Sequence, residues 1–303
     1  MKKFITNSAM FLVCAVITII IVFWQADGKT DPFYLRFTTH KQSSLILGTS
    51  RAAQGILPDD MNKKLNRNDI YNYSFTLAHS PYGPTYLKGI KDKLDTETRN
   101  GIFVITVDPW SIASRTNTQN DSLNLREDDF SLGNVTFKNY HPNFEYLIKS
   151  YDAPFLNILR ADSNEMILHK NGWLEVNVDM DSTNVATRSF EKMRSYKNDY
   201  LPHYYVSEYR YNYLSKTISY LKKHGDVYLV RLPVSPEMFE IENILLSDFD
   251  NQIKNLSRKH RIPFYNMTKM NEEFQYTDGN HLYKESGGEV SILIAEFILK
   301  SKH

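Results

Sequence analysis

A single cysteine, Cys14, stands in 303 residues, so neither an internal disulfide nor a cysteine-built metal cluster can form. The nine histidines are scattered without metal-ligand spacing, and no metal is expected. No glycine-rich phosphate loop or dinucleotide fingerprint occurs, and no cofactor is expected. Basic and acidic residues nearly cancel, 36 against 35, which removes the electrostatic footprint of a nucleic-acid surface. Repeats and low-complexity tracts are missing too. What is abundant is aromatic: 20 Tyr and 17 Phe, read as a well-filled core with tyrosine-rich surfaces rather than a platform for stacking bases.

Only one run is long and apolar enough to cross a bilayer. Met10 to Trp24 is almost wholly apolar, and the weakly polar stretch before it, with Phe4 and Ile5, completes a span of about 20 residues. Lys2 and Lys3 precede it, which favours a cytoplasmic N-terminus and places the rest of the chain outside the cytoplasm. Trp24 fits the far interface. The competitor is a cleaved signal peptide, but cleavage after Ala26 puts Trp24 where a small residue is wanted, so a retained anchor is favoured. Cys14 lies inside the run, after Val13, and reads as an inert membrane residue rather than a lipidation site. The expected organisation is an anchor over 1–26, a connector over 27–42 and one domain over 43–303.

Within that domain the pattern alternates. Ser44 to Leu47 reads as a buried strand, 58–65 as a short helix, 69–75 as a second strand and 81–94 as a helix with Pro81 in its first turn. Gly101 to Val107 reads as a third strand, stopped by Pro109. From 111 to about 202 the pattern weakens, with a helix candidate at 143–151, and the region reads as an insertion: a cap over the cleft, or decoration. Regularity returns with an amphipathic helix over 203–224 ended by Gly225, a strand over 226–232, a helix over 249–260 and a short strand over 263–266. Ser286-Gly287-Gly288-Glu289 has capping-box spacing, and Val290, Leu293, Ile294, Phe297 and Ile298 follow helical periodicity. Strands alternating with helices predict an α/β fold with a parallel central sheet, whose sites lie beyond the carboxyl ends of the strands.

Two segments carry chemistry. Leu45-Ile46-Leu47-Gly48-Thr49-Ser50-Arg51 runs a buried strand into a serine on a tight turn. Asp278-Gly279-Asn280-His281 sets a carboxylate three residues before a histidine. A serine hydroxyl needs a base to take its proton, and the base needs a carboxylate to orient it; Ser50, His281 and Asp278 are the candidates. The backbone N–H groups of Ser50 and Arg51 are placed to stabilise an oxyanion. For each residue a bland reading stands beside this one: Ser50 as a turn or cap serine, His281 as a loop histidine, Asp278 as a loop cap. Arg51 pairs structurally or binds an anion, Asp108 touches the site or closes a turn with Pro109, and Arg231 is a weaker cleft candidate. His79 is read as a structural or surface histidine.

These residues resemble the SGNH (GDSL-type) hydrolase superfamily over most of 43–301, interrupted by 111–202. Gly48-Thr49-Ser50 matches its first block and Asp278-x-x-His281 its last. The resemblance implies a flavodoxin-like α/β/α sandwich with Ser50 as nucleophile. Two blocks depart from the pattern. Thr49 replaces the usual aspartate, and Asp108-Pro109-Trp110 stands where Gly-x-Asn-Asp is usual, so the oxyanion asparagine is missing or supplied elsewhere. In the second block, Ser74 and Ala78 are the candidate stand-ins for the glycine donor. A Gly-Thr-Ser-Arg turn behind an N-terminal anchor is similar to the envelope proteins of alginate acetylation and of D-alanine transfer to teichoic acids. That likeness implies an acyl-carrying or carbohydrate substrate and a multispanning membrane acyltransferase as partner. The expected protein is therefore a single-pass serine esterase or O-acyltransferase facing out of the cytoplasm, the alternatives being an inactive glycan-binding or scaffold domain and a secreted esterase.

Overall fold

The computed structural model describes residues 1–115, 125–160 and 165–301. Helices α1 (Lys2–Trp24) and α2 (Tyr34–Thr38) precede the sheet. Strand β1 (Ser44–Leu47) leads into α3 (Ser50–Gly55) and α4 (Pro58–Leu65), and β2 (Ile70–Asn72) into α5 (Pro84–Lys93). β3 (Gly101–Thr106) is followed by β4 (Ala113–Ser114), α6 (Ser131–Asn134), α7 (Phe144–Lys149) and α8 (Leu156–Arg160). A hairpin of β5 (Met166–Leu168) and β6 (Leu174–Val176), the helix α9 (Ser182–Ser195) and β7 (Tyr205–Val206) complete the middle of the chain. The last third is α10 (Glu208–Leu221), β8 (Gly225–Arg231), α11 (Pro236–Leu245), α12 (Phe249–His260), β9 (Phe264–Asn266) and α13 (Lys284–Ser301).

Five strands form one sheet in the order β2-β1-β3-β8-β9, every neighbouring pair parallel. This is the flavodoxin-like order, and its reversal lies between β1 and β3. The side-chain alternation of a strand divides the core into two layers. Leu45, Leu47, Phe103, Ile105, Val227 and Leu229 face α5, α10 and α12. Ile46, Ile102, Val104, Tyr228 and Val230 face α3, α4 and α13. Both faces being covered explains why these strands read as continuous apolar runs.

Several boundaries differ from the sequence expectation, each for a local reason. The helix expected from Pro81 begins at Pro84, because Tyr82 is wholly buried at the sheet end, its hydroxyl on Thr106 O at 2.5 Å and its N–H on Ser111 O at 3.0 Å. The helix expected from His203 begins at Glu208, since Tyr205 and Val206 pair with Ser114 and Ala113 and Ser207 caps the helix through Arg210 N. It ends at Leu221, so Gly225 opens β8 rather than closing α10. The capping box expected at Ser286 is not used: α13 starts at Lys284, and Ser286 Oγ instead accepts the N–H of Gln275 at 2.9 Å. Helices α2, α3, α6, α8, α9 and α11 have no counterpart among the expected elements, although Ser235-Pro236-Glu237 at the head of α11 is a helix-start pattern.

The middle of the chain packs against the sheet domain at the site end. Trp173 Nε1 donates to Gln54 O at 2.9 Å, which docks the β5–β6 hairpin on α3. Met193 and Tyr196 share an apolar cluster with Trp110, Val234 and Met238. Residues 27–42 are folded in as well: Tyr34, Arg36 and Phe37 are wholly buried, and Arg36 donates to the carbonyls of Pro32, Asn72 and Gly172.

Candidate active site

Ser50 sits just past the carboxyl end of β1, beside the reversal of strand order. Gly48 is required for this turn: its φ is +155°, and a Cβ there would lie 1.9 Å from Thr106 Oγ1. Its N–H donates to Tyr86 Oη at 2.9 Å, and its carbonyl accepts Ser80 Oγ at 2.8 Å. Ser50 is then the first residue of α3. Asn72, from β2, closes the far end of that helix by donating to Ala52 O and Ile56 O at 2.8 and 2.9 Å. Among the described residues no acceptor faces the N–H of Ser50 or of Arg51.

The second half of the site is the loop between β9 and α13. Asp278 Oδ1 accepts the N–H of Asn280 at 3.0 Å and of His281 at 2.9 Å, an Asx-type closure. Gly279 has φ +75°, a conformation that suits glycine, and its carbonyl accepts Ser235 N at 2.9 Å. Thr277 N donates to His281 O at 2.9 Å, which closes the loop on itself.

These halves meet. His281 Nδ1 lies 2.9 Å from Asp278 Oδ2, and its Nε2 lies 2.9 Å from Ser50 Oγ. An ionised carboxylate only accepts, so the ring proton belongs on Nδ1 and Nε2 accepts from the serine hydroxyl. Burial alone pushes the Asp278 carboxyl up, but His281, Lys192 and the loop N–H groups hold it far below the usual carboxylate range. The side chain is therefore a fixed anion. Ser50 remains half-buried, while Asp278 and His281 are buried.

Behind the relay runs a buried chain of charges. Arg51 donates from Nε and Nη2 to Asn280 Oδ1 at 3.0 and 2.7 Å and from Nη1 to Glu242 Oε1 at 2.5 Å. Glu242 Oε2 accepts from Arg231 Nη2 at 2.7 Å, and Arg231 Nη1 donates to Asp250 at 2.5 Å. Burial opposes the Arg51 charge, yet Glu242 and Asp108 hold the guanidinium above its ordinary value. Asn280 completes the link by placing its Nδ2 3.2 Å from His281 Nε2. Arg51 and Arg231 thus belong to one internal network, and their fork groups are turned inward.

The remaining candidates lie elsewhere. Asp108 closes its turn: its carboxylate accepts Ser111 N at 2.9 Å, and Ser111 Oγ accepts Asp108 N at 3.1 Å, with Arg51 Nη1 3.9 Å away. Burial raises its carboxyl. Ser74 is wholly buried, with its hydroxyl on Ile46 O at 3.3 Å and its N–H on Asn72 Oδ1 at 3.2 Å, so both of its donors are already engaged. Ala78 lines a separate cavity of about 230 Å³ with Leu77, Pro81, Arg126 and Tyr204. His79 sits among Phe33, Phe75 and Phe130, and burial lowers its ring to about 4.

Three participants went unseen in the sequence. Asn280 was within the quoted motif, and its amide between two site residues was the available signal. Glu242 and Lys192 carry no sequence signal, since each is one acidic or basic residue on a helix. Among the described residues no cluster of His, Cys, Asp and Glu could hold a metal.

No family model matches the chain, and no curated protein matches its sequence. Fourteen chains of solved structures match. Est24, a carbohydrate acetylesterase from Sinorhizobium meliloti, is similar at 13% identity with a TM-score of 0.41, over 86% of this chain and 99% of that one. The native aryl esterase of M. smegmatis is similar at 10% identity with a TM-score of 0.38, over 85% of this chain and 99% of that one.

Proposed function

We propose that this protein is a serine esterase or O-acyltransferase of the SGNH type, held in a membrane by α1 and acting outside the cytoplasm on acyl groups carried by envelope carbohydrate. The observation that carries the chemistry is the Ser50–His281–Asp278 relay, hydrogen-bonded throughout and placed at the reversal of a parallel sheet. In this reading Ser50 Oγ attacks the ester carbonyl as its proton passes to His281 Nε2. Asp278 stabilises the imidazolium, and the free N–H groups of Ser50 and Arg51 receive the oxyanion. His281 then returns its proton to the leaving oxygen. Water or a sugar hydroxyl, deprotonated by His281, resolves the acyl-Ser50 ester.

The carbohydrate class and a multispanning acyltransferase partner are supported by the likeness of the Gly48–Arg51 turn and the anchor to the envelope acyl-transfer proteins. Helix α1 is long and apolar enough to cross a membrane, a property shared by signal sequences. Retention is supported by Phe23 and Ala26, which lie in the main apolar core; cleavage after Ala26 would remove both.

The test uses the full chain in detergent micelles with p-nitrophenyl acetate, reading turnover and an acetyl adduct by intact mass. Turnover or adduct in the wild type, lost in Ser50→Ala and His281→Ala, is the expected result. Folded wild-type protein with neither, even in the presence of a membrane acyl donor, would leave a glycan-binding or scaffold domain as the reading. Added glycans then separate transfer from hydrolysis.

A further inference from the structure

We infer that α7 and α8 form a collar that rests in the headgroup layer of the membrane, so that the catalytic domain lies on the bilayer rather than hanging from a tether. The inference rests on reading α1 as a membrane span. At 1.5 Å per residue, the 23 residues of α1 reach about 34 Å, close to the hydrocarbon thickness, so Phe23 and Trp24 fall at its outer boundary. Whatever touches them is at that boundary too.

What touches them is aromatic, with one polar contact from His141. The Phe23 ring is 4% exposed and lies 5.8 Å from Phe144, on α7, and 5.0 Å from Phe155, which leads into α8. His141 meets Trp24 twice, edge-on at 5.8 Å between rings and through Nε2, 3.1 Å from Trp24 O. Around this junction the same two helices present bare surface. Ile148, one helical turn beyond Phe144, is 71% exposed; Leu156 and Leu159, three apart on α8, are 50% and 49% exposed. Tyr140, beside His141, is exposed as well. An apolar patch of this kind on a water-facing domain marks an interaction surface, and here it adjoins α1 through the Phe23 ring contacts.

Lipid is the occupant this continuity selects. Arg160, at the end of α8, is an exposed cation of the kind that flanks interfacial helices, and Lys149, at the end of α7, is exposed and paired with Glu145 at 2.7 Å. No free linker separates span and domain, because Ala26, Tyr34 and Phe37 lie in the main apolar core and Arg36 is wholly buried. The domain therefore cannot lift away without breaking the Phe23 contacts.

The test places single cysteines, in a Cys14→Ser background of the full chain, at Ile17, Ile148, Leu159 and, as a control, Lys254 on the exposed side of α12. Each carries a polarity-sensitive fluorophore in phosphatidylcholine–phosphatidylglycerol vesicles with spin-labelled lipids. Quenching at Ile148 and Leu159 by headgroup-level labels, at least about threefold above that at Lys254, is expected, with Ile17 quenched by deep labels. Quenching at Ile17 without quenching at Ile148 and Leu159 overturns the collar while leaving the span intact. No quenching at Ile17 removes the span, and the collar with it. Signals at Ile148 and Leu159 that change on dilution with unlabelled chain, without lipid quenching, assign the patch to a second copy and also overturn the proposal.

Discussion

Lys192 Nζ and His281 Nδ1 converge on one oxygen, Oδ2 of Asp278, at 3.1 and 2.9 Å. The lysine comes from α9, and Arg188, one turn before it, donates from Nε to Thr277 O at 2.8 Å. A helix from the middle of the chain thus grips the loop that carries Asp278 and His281. It also sets a second cation against the Asp278 carboxylate, beside the His281 ring.

Replacing Lys192 separates these two effects. In Lys192→Met the Asp278 carboxyl loses one of the cations that hold it below the usual carboxylate range, so the acidic limb of the kcat/KM profile moves toward higher pH. Lys192→Arg keeps the wild-type profile. The measurement is p-nitrophenyl acetate hydrolysis across pH; identical profiles for all three proteins would show that the lysine does not act on the relay.

Removal of the relay residues should be far costlier. Ser50→Ala and His281→Ala lower kcat by about 10³-fold or more, and Asp278→Asn approaches the same loss through the wrong tautomer. Because the members act as a unit, the double variant Ser50→Ala/His281→Ala loses little more than either single one. Steady-state kinetics on folded protein decide it, and additive losses would argue against a shared step.

Arg51 is a prediction about stability. Arg51→Met leaves Glu242 with Arg231 as its remaining cation and strips Asn280 Oδ1 of two donors, at a cost of about 3–5 kcal/mol. Denaturant unfolding of the full chain in micelles measures it. A loss below about 1 kcal/mol would mean that the buried network relaxes around the gap.

Gly279 tests geometry with little change of chemistry. An alanine there meets a left-handed backbone and a Cβ position 2.8 Å from Met193 Cε and 3.0 Å from Ser235 Oγ. The methionine end can yield, so Gly279→Ala should fold with a loss of about 1–2 kcal/mol. Activity should fall by more than that loss alone implies, because Asp278 and His281 flank the shifted peptide.

Asp69 supplies a pH-dependent term outside the site. Burial raises its carboxyl, but Arg67 and the hydroxyls of Ser43 and Ser44, 2.6 and 2.8 Å away, bring it down to about 2. A depressed carboxyl contributes stability above its unfolded value of 3.8 and loses it as pH falls toward 2. Asp69→Asn should therefore melt a few degrees lower than wild type at pH 7, with the gap closing in acid. A gap independent of pH would assign the effect to shape rather than charge.

Much of the architecture was legible because it is local. Continuous apolar runs such as Gly101–Thr106 can be satisfied only by a strand covered on both faces, and the periodicity of Val290, Ile294 and Ile298 demands one buried helix face. Helix starts were less legible, since a start depends on what the preceding residues are pinned to: Tyr82 on Thr106 delays α5, and Ser286 spends its hydroxyl on Gln275. The middle of the chain was least legible: α7 falls within the helix expected over 143–151, but α8 and α9 draw their order from contacts with α1, Trp110 and Thr277 rather than from their own pattern.

The amino-acid sequence determined by itself what depends on near neighbours: the apolar N-terminal helix, the glycine turn that carries Ser50, the Asp278–His281 spacing and the strand–helix alternation that makes a parallel sheet. Only the tertiary structure decided which distant side chains meet. It turned Arg51 and Arg231 inward onto Glu242, drew Asn280 between Arg51 and His281, and set Lys192 against Asp278. The physical reason is that charge and hydrogen-bonding capacity carry no address along the chain. A guanidinium pairs with whatever carboxylate the packing of the sheet and its helices brings within about 3 Å, and that choice is settled only when both are buried.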